Sequence, residues 1–180
     1  MSGGSGSDQP AARESGLVAA QLGGRAPRKP WRVAARCSYG YPSAIVSPSL
    51  LADGTPFPTH AWLTCPYLTE ALSAEESAGA AAVWAERAAS DPLLAEHLHA
   101  ADAALRSVRA EESGGADACE PVGLAGQRDP LGVKCLHAHV ALTLIGIDDP
   151  IGVEELGKIP ESCGNARCMT MQPPRPPERG

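Results

Sequence analysis

Between Trp31 and Cys65 apolar residues gather in three short segments set off by Gly- and Pro-containing turns, and from Leu93 to Val108 they recur at three- and four-residue steps. Residues 31–37, 43–47 and 59–65 therefore read as short strands, separated by turns at Tyr39-Gly40-Tyr41-Pro42 and Asp53-Gly54-Thr55-Pro56. In the third segment Thr59, Ala61, Leu63 and Cys65 fall on one face, with His60, Trp62 and Thr64 on the other. Pro66 sits where a helix can start, and residues 67–72 and 74–89 are Ala/Glu/Leu-rich. Ser90-Asp91-Pro92 is a helix boundary. Leu93, Leu94, His97, Leu98, Ala101, Leu105 and Val108 then share one predicted helix face, which places His97 at the core and His99 on the opposite, solvent side. Residues 111–130 read as a loop. A helix from Leu131 or Val133 to Ile145 is apolar on nearly all sides and hence central. Asp148-Asp149-Pro150 caps a last short helix through Leu156.

The expected fold is α+β: a small N-terminal antiparallel sheet packed on a mainly helical C-terminal part with a buried central helix. Residues 1–30, rich in Gly, Ser, Ala and Pro, are expected to be a disordered tail. Residues 31–157 form a single domain, and residues 158–180 an extended tail carrying a Cys pair.

Composition narrows the function classes. Hydrophobic residues make up 43% of the chain but aromatic residues only 4%, which favours small-residue helix packing over a large sandwich. The net charge of −6 argues against nucleic-acid binding, which needs a basic surface to displace counterions. No run of about 18 apolar residues is present, so no membrane span is expected. The Gly/Ser-rich N-terminus lacks the apolar core of a secretory signal, and a cytoplasmic location is the expectation. There the six cysteines are expected to be free, metal-bound or reactive rather than paired.

The densest chemistry lies at Gly132-Val133-Lys134-Cys135-Leu136-His137-Ala138-His139. On a helix Cys135 and His139 share a face and His137 lies about 200° away, the spacing by which successive turns grip one zinc ion. If residues 133–137 are instead an extended lead-in, Cys135 and His137 converge and His139 drops out. Cys37 and Cys65, each at a strand end, are the candidate partners for a tetrahedral site that also draws on Cys135, His137 and His139. Arg36 and Lys134 adjoin the thiols; a cation there favours thiolate or binds an anionic group. Cys163-Gly164-Asn165-Ala166-Arg167-Cys168 reads either as a metal-binding knuckle, joining that site or forming its own with Cys119, or as a plain tail pair.

Three motifs together resemble a known family. Arg36-Cys37-Ser38-Tyr39-Gly40-Tyr41-Pro42 is followed by Gly54-Thr55-Pro56-Phe57-Pro58-Thr59 with Trp62-Leu63-Thr64-Cys65-Pro66, and then by Val133-Lys134-Cys135-Leu136-His137-Ala138-His139. In this order they resemble the bacterial, mainly actinobacterial family called domain of unknown function 501, over about residues 31–157. Asp149-Pro150-Ile151-Gly152 is similar to that family's Asn-Pro-x-Gly ending, with Asp149 in place of Asn; the Cys163/Cys168 pair lies outside the resemblance. The resemblance implies no activity. It implies Cys37, Cys135 and His137 as the steadier positions, a Cys65 exchangeable for His, and a less fixed His139. A Cys-for-His exchange suits a zinc position and not a nucleophile. Gene neighbourhoods of the family imply an association with cell division or phosphate metabolism.

The leading expectation is a protein with a Cys/His zinc site joining sheet and central helix, acting through contacts with a protein partner linked to cell division. The alternative is a metal- or thiol-dependent enzyme for a small anionic, phosphorylated substrate held by Arg36 and Lys134.

Overall fold

Two outer strands pair antiparallel with a buried central one. In the computed structural model, which describes residues 8–28 and 30–171, β1 (Arg32–Arg36), β2 (Pro42–Val46) and β3 (Ala61–Leu63) form a sheet in the order β1-β2-β3. Val33 faces Ile45 across β1 and β2, and Ile45 faces Trp62 across β2 and β3. All five residues of central β2 are buried. The sheet is antiparallel, as expected. Its third strand is shorter than the alternation of residues 59–65 suggests, because Thr64 and Cys65 already hydrogen-bond to Ser43 at the strand end.

The helices that follow are α2 (Pro66–Ser77), α3 (Ala80–Ser90), α4 (Pro92–Glu112), α5 (Leu136–Leu144) and α6 (Pro150–Lys158). One break falls inside the run expected as continuous: Gly79 adopts φ 92°, a left-handed conformation that glycine tolerates, and separates α2 from α3. Asp91 caps α4 by accepting from the Leu93 and Leu94 N–H groups, with Pro92 in the first turn.

The buried face of α4 runs Leu94, Leu98, Ala101, Asp102, Leu105 and Arg109. Leu93 and His97, placed on the core face by spacing, are exposed. Fully buried Arg109 explains the shift of that face. Its guanidinium donates to Asp117 at 2.6 Å and to the Val122 carbonyl at 2.6 Å, folding the loop after α4 back onto the helix.

Helix α5 is the centre of the molecule, as its all-round apolar character implies. It packs against β3, α2 and α6, and Leu136, Val140, Ala141 and Leu142 are fully buried within the core. Asp149 fixes α6 to it: one carboxylate oxygen caps the Gly152 N–H and the other bonds His139 of α5, at 2.8 Å each. A Cβ on Gly152 would meet the His139 carbonyl oxygen at 2.4 Å, so the two backbones touch where any side chain would stand. The Asp149-Pro150-Ile151-Gly152 motif thus combines a cap, a first-turn proline and a contact glycine.

Within the segment expected to be a disordered N-terminal tail, the chain forms helix α1 (Asp8–Gln21), whose Val18 and Ala19 are buried. A short apolar Leu17-Val18-Ala19-Ala20 run suffices to dock it, and Gly23 and Gly24 close its end in left-handed conformations. Of the C-terminal segment, residues 159–171 are described. They run irregularly over the surface to a 3-10 turn at Arg167–Thr170 that buries Cys168.

Candidate functional site

The start of α5 decides which residues meet. Cys135 is still extended (φ −159°, ψ 114°) and serves as N-cap, and the helix begins at Leu136. The extended lead-in is therefore the version that holds, and Cys135 and His137 converge. Buried Leu136 anchors the turn in the core between them.

Helix α2 completes the group. Thr69, Ser73 and Glu76 occupy one stripe of it at four- and three-residue steps. His137 Nδ1 lies 3.0 Å from Glu76 Oε1 and 3.6 Å from Cys135 Sγ. Its Nε2 lies 3.1 Å from the Thr69 carbonyl oxygen and 3.3 Å from Ser73 Oγ. Glu76 Oε1 also accepts from the Leu136 N–H at 2.6 Å. The ligand atoms of Glu76, Cys135 and His137 all lie within 4.8 Å of one another, and the three residues are partly buried.

The hydrogen bonds assign the imidazole its tautomer. A backbone carbonyl only accepts, so Nε2 carries the proton facing Thr69. The Nδ1 lone pair of the neutral ring then points at a carboxylate oxygen and a sulfur. Such an arrangement calls for a positive charge between them, either a proton on Nδ1 or a metal ion. In the absence of metal the proton is strongly held. The Cys135 sulfur, and after it the Glu76 carboxylate, push the His137 pKa up to about 9 against the opposing effect of burial.

Cys135 and His137 also line a cavity of about 260 Å³. Most of its wall is apolar, including Ala61, Leu63, Leu105 and Leu142, and Trp62 and His60 contribute from the β3 side. A water needs about 10–15 Å³ by this measure, so the space is ample and a small molecule fits beside Cys135 and His137. His60 itself is buried and bonds the Ser47 carbonyl through Nδ1 at 2.9 Å, with Glu112 at 3.4 Å. Burial lowers its pKa, and the neighbouring Glu112 works against that.

The ligand set expected from sequence, Cys37, Cys65, Cys135, His137 and His139, is distributed over three places. Cys135 and His137 stand together at the cavity. His139 is buried on α5 and held by Asp149. Cys37 and Cys65 line a different, smaller cavity together with Cys163 and Cys168. Cys119 is buried and donates its thiol to the Ser49 carbonyl, a packed thiol with a backbone partner. Arg36 is engaged by Glu14 of α1 and by the Gly40 carbonyl, and Lys134 is exposed. Sequence reasoning missed Glu76, which looks like one more helix-surface glutamate, and nothing local marks it. All six cysteines are free thiols.

Among the described residues no helix is long and apolar enough to cross a membrane. A family model described as "Protein of unknown function (DUF501)" matches residues 33–156. No curated protein and no solved structure matches the chain.

Proposed function

The chain belongs to the DUF501 family, whose function is unknown, and we propose that it binds a divalent metal ion, zinc first, through Glu76, Cys135 and His137, with a further coordination position facing the apolar cavity. The observation that carries this reading is the convergence of three different donors on one point while the far nitrogen of His137 is committed to the Thr69 carbonyl. A ligating histidine ordinarily donates its other N–H to a carbonyl or carboxylate, which fixes ring and tautomer. Thiolate and carboxylate together supply two negative charges, matching a dication. A zinc site with three protein ligands keeps a fourth position for water or substrate. With a cavity beside it, the site suits polarising or hydrolysing a small molecule that has one polar end and an apolar body.

A thiol-based reaction is the second reading, favoured by the place of Cys135 at the N-cap of α5 beside an imidazole. The metal reading ranks above it because a nucleophile, base and orienting acid use the two ring nitrogens separately. Here sulfur and carboxylate share Nδ1.

The test is elemental mass spectrometry of the full chain purified without a metal-affinity tag, beside C135S, H137Q and E76Q. The expected result is the loss of one equivalent in C135S and H137Q with the far-ultraviolet circular dichroism retained. Metal content unchanged by H137Q overturns the reading. A metal-independent alkylation of Cys135 that slows in H137Q would put the thiol reaction in its place.

A further inference from the structure

We propose that Cys37, Cys65, Cys163 and Cys168 form a second, separate metal site, a tetrathiolate shell for zinc or a similarly soft ion, which fastens the segment after α6 to the corner between the sheet and α2. The four come from three parts of the chain. Cys37 opens the β1–β2 turn, where its N–H bonds the Tyr41 carbonyl and its own carbonyl takes the Gly40 N–H. Cys65 is the N-cap of α2. Cys163 and Cys168 bracket a loop in which Gly164 and Ala166 both take left-handed conformations, at φ 66° and 43°. All four line one cavity of about 20 Å³. That is room for a single atom-sized occupant, since a water already needs about 10–15 Å³ by this measure.

Burial favours the neutral thiol at Cys65 and Cys168, while backbone N–H groups favour the thiolate at Cys163. Backbone N–H groups of Tyr67 and Leu68 face the Cys65 sulfur, and those of Asn165, Ala166 and Arg167 face the Cys163 sulfur. Gln21 of α1 donates its Nε2–H to the Cys168 sulfur at 3.3 Å and to the Pro42 carbonyl at 2.9 Å. The Gln21 amide orients the Cys168 sulfur, the role of the outer shell at a metal centre. Cys65 and Cys168 are nearly fully buried. Several thiolates gathered there without a cation would be strongly disfavoured. A dication offsets two of the four charges, and Arg167, which also lines the cavity, stands close to two of the sulfurs.

The loop is tied down by side chains alone: Arg167 bonds Glu70 of α2 at 2.5 Å and lies over the Tyr67 ring, and Ser162 bonds the Tyr39 hydroxyl. Among the described residues, Glu76, Cys135 and His137 are the trio whose donor atoms all lie within 4.8 Å of one another. No three of the four sulfurs lie within 4.8 Å of one another, whereas bonds of about 2.3 Å impose a separation of about 3.8 Å on a tetrahedral shell. Metal binding therefore draws the Cys163–Cys168 loop inward. The family match ends at residue 156, so two of the four ligands lie beyond it. This site does not depend on the Glu76/Cys135/His137 reading.

The experiment is metal stoichiometry and cobalt(II) substitution of the full chain, with the double variant C163S/C168S and with C135S. Both variants change residues outside the apolar core cluster. The expected result is two equivalents in the parent chain and one in each variant. The intense sulfur-to-cobalt charge-transfer band of four thiolates persists in C135S and disappears in C163S/C168S. Metal content and cobalt spectrum unchanged in C163S/C168S overturn the proposal. So does a Cys163–Cys168 disulfide that forms and persists in the parent chain with zinc present in excess, which would make the pair a redox couple. One equivalent in the parent chain, lost in C163S/C168S and kept in C135S, would support this site while removing the other.

Discussion

Glu76, Cys135 and His137 present one oxygen, one sulfur and one nitrogen, the last two residues lining an apolar cavity of about 260 Å³, whereas Cys37, Cys65, Cys163 and Cys168 present four sulfurs around about 20 Å³. The first group stands on α2 and at the start of α5, both packed on the core through buried Leu72 and Leu136; half of the second rides on an irregular surface segment. Mixed donors with space beside them leave a metal ion accessible to a further ligand. Identical soft donors around an atom-sized space close over it. The difference separates a site suited to chemistry from one suited to fastening, although both use the same residue type at their centre.

The largest expected effect breaks the comparison from the fastening side. Removing the metal with a strong chelator, or making C163S/C168S, should release residues 159–171 from the sheet–α2 corner, because a structural zinc site contributes about 10–16 kcal/mol of binding free energy in small domains. Limited proteolysis should then cut within that segment while the rest of the chain resists. Equal resistance with and without metal would equate the two sites.

The next largest acts on the other side. Gly152→Ala forces α6 away from α5, and Asp149→Ala removes both the α6 cap and the partner of His139. Each should cost about 2–3 kcal/mol in urea unfolding. Each should weaken metal binding at Cys135 and His137, which α5 positions, and leave the four-cysteine site intact. Loss of both sites together would show that they are coupled.

A smaller effect sharpens the electrostatics of the trio. In metal-free protein the folded-state pKa of His137, about 9, lies above the ordinary histidine value of about 6.5. Its stabilising contribution is therefore fully present below about pH 6.5 and is lost as pH rises through about 9. Thermal unfolding across that window should show the loss, and H137Q should remove it. Glu76→Gln should lower the His137 pKa only in part, because Cys135 is the larger cause. An NMR titration of the ring checks this. Metal affinity should run the opposite way and rise with pH, since the ion competes with the Nδ1 proton. The smallest effect belongs to Arg167→Ala, which breaks a surface ion pair with Glu70 worth at most about 1 kcal/mol. It should loosen the Cys163–Cys168 loop slightly and leave the trio's metal content unchanged.

The elements were legible where a period or a punctuating residue wrote them. Asp91-Pro92 and Asp149-Pro150 mark helix starts that the structure keeps, and the apolar stretch expected as a helix from Leu131 or Val133 to Ile145 holds the buried centre, although the helix begins only at Leu136. Cys135 and His137 were legible as a pair because they are two residues apart, and their meeting depended only on where one helix begins. Glu76 was not, because it lies about sixty positions away on another helix and its meaning arises from the packing of α2 on α5. The grouping of Cys37 and Cys65 with Cys163 and Cys168 depends on where an irregular segment docks, which no periodicity encodes. Helix α1 escaped for a related reason: its own pattern is weak, and burial of Val18 against the rest of the fold supplies what the local sequence lacks.

The atom that sets the tautomer of His137 is the main-chain oxygen at position 69. That oxygen belongs to every amino acid, so the identity of residue 69 can drift without disturbing the imidazole, provided α2 keeps its course. A saturation scan of that position would come back nearly silent. One of the most consequential contacts of the site is thus hidden from genetics, and only a distortion of the helix itself, such as a proline inserted one turn on, would uncover it.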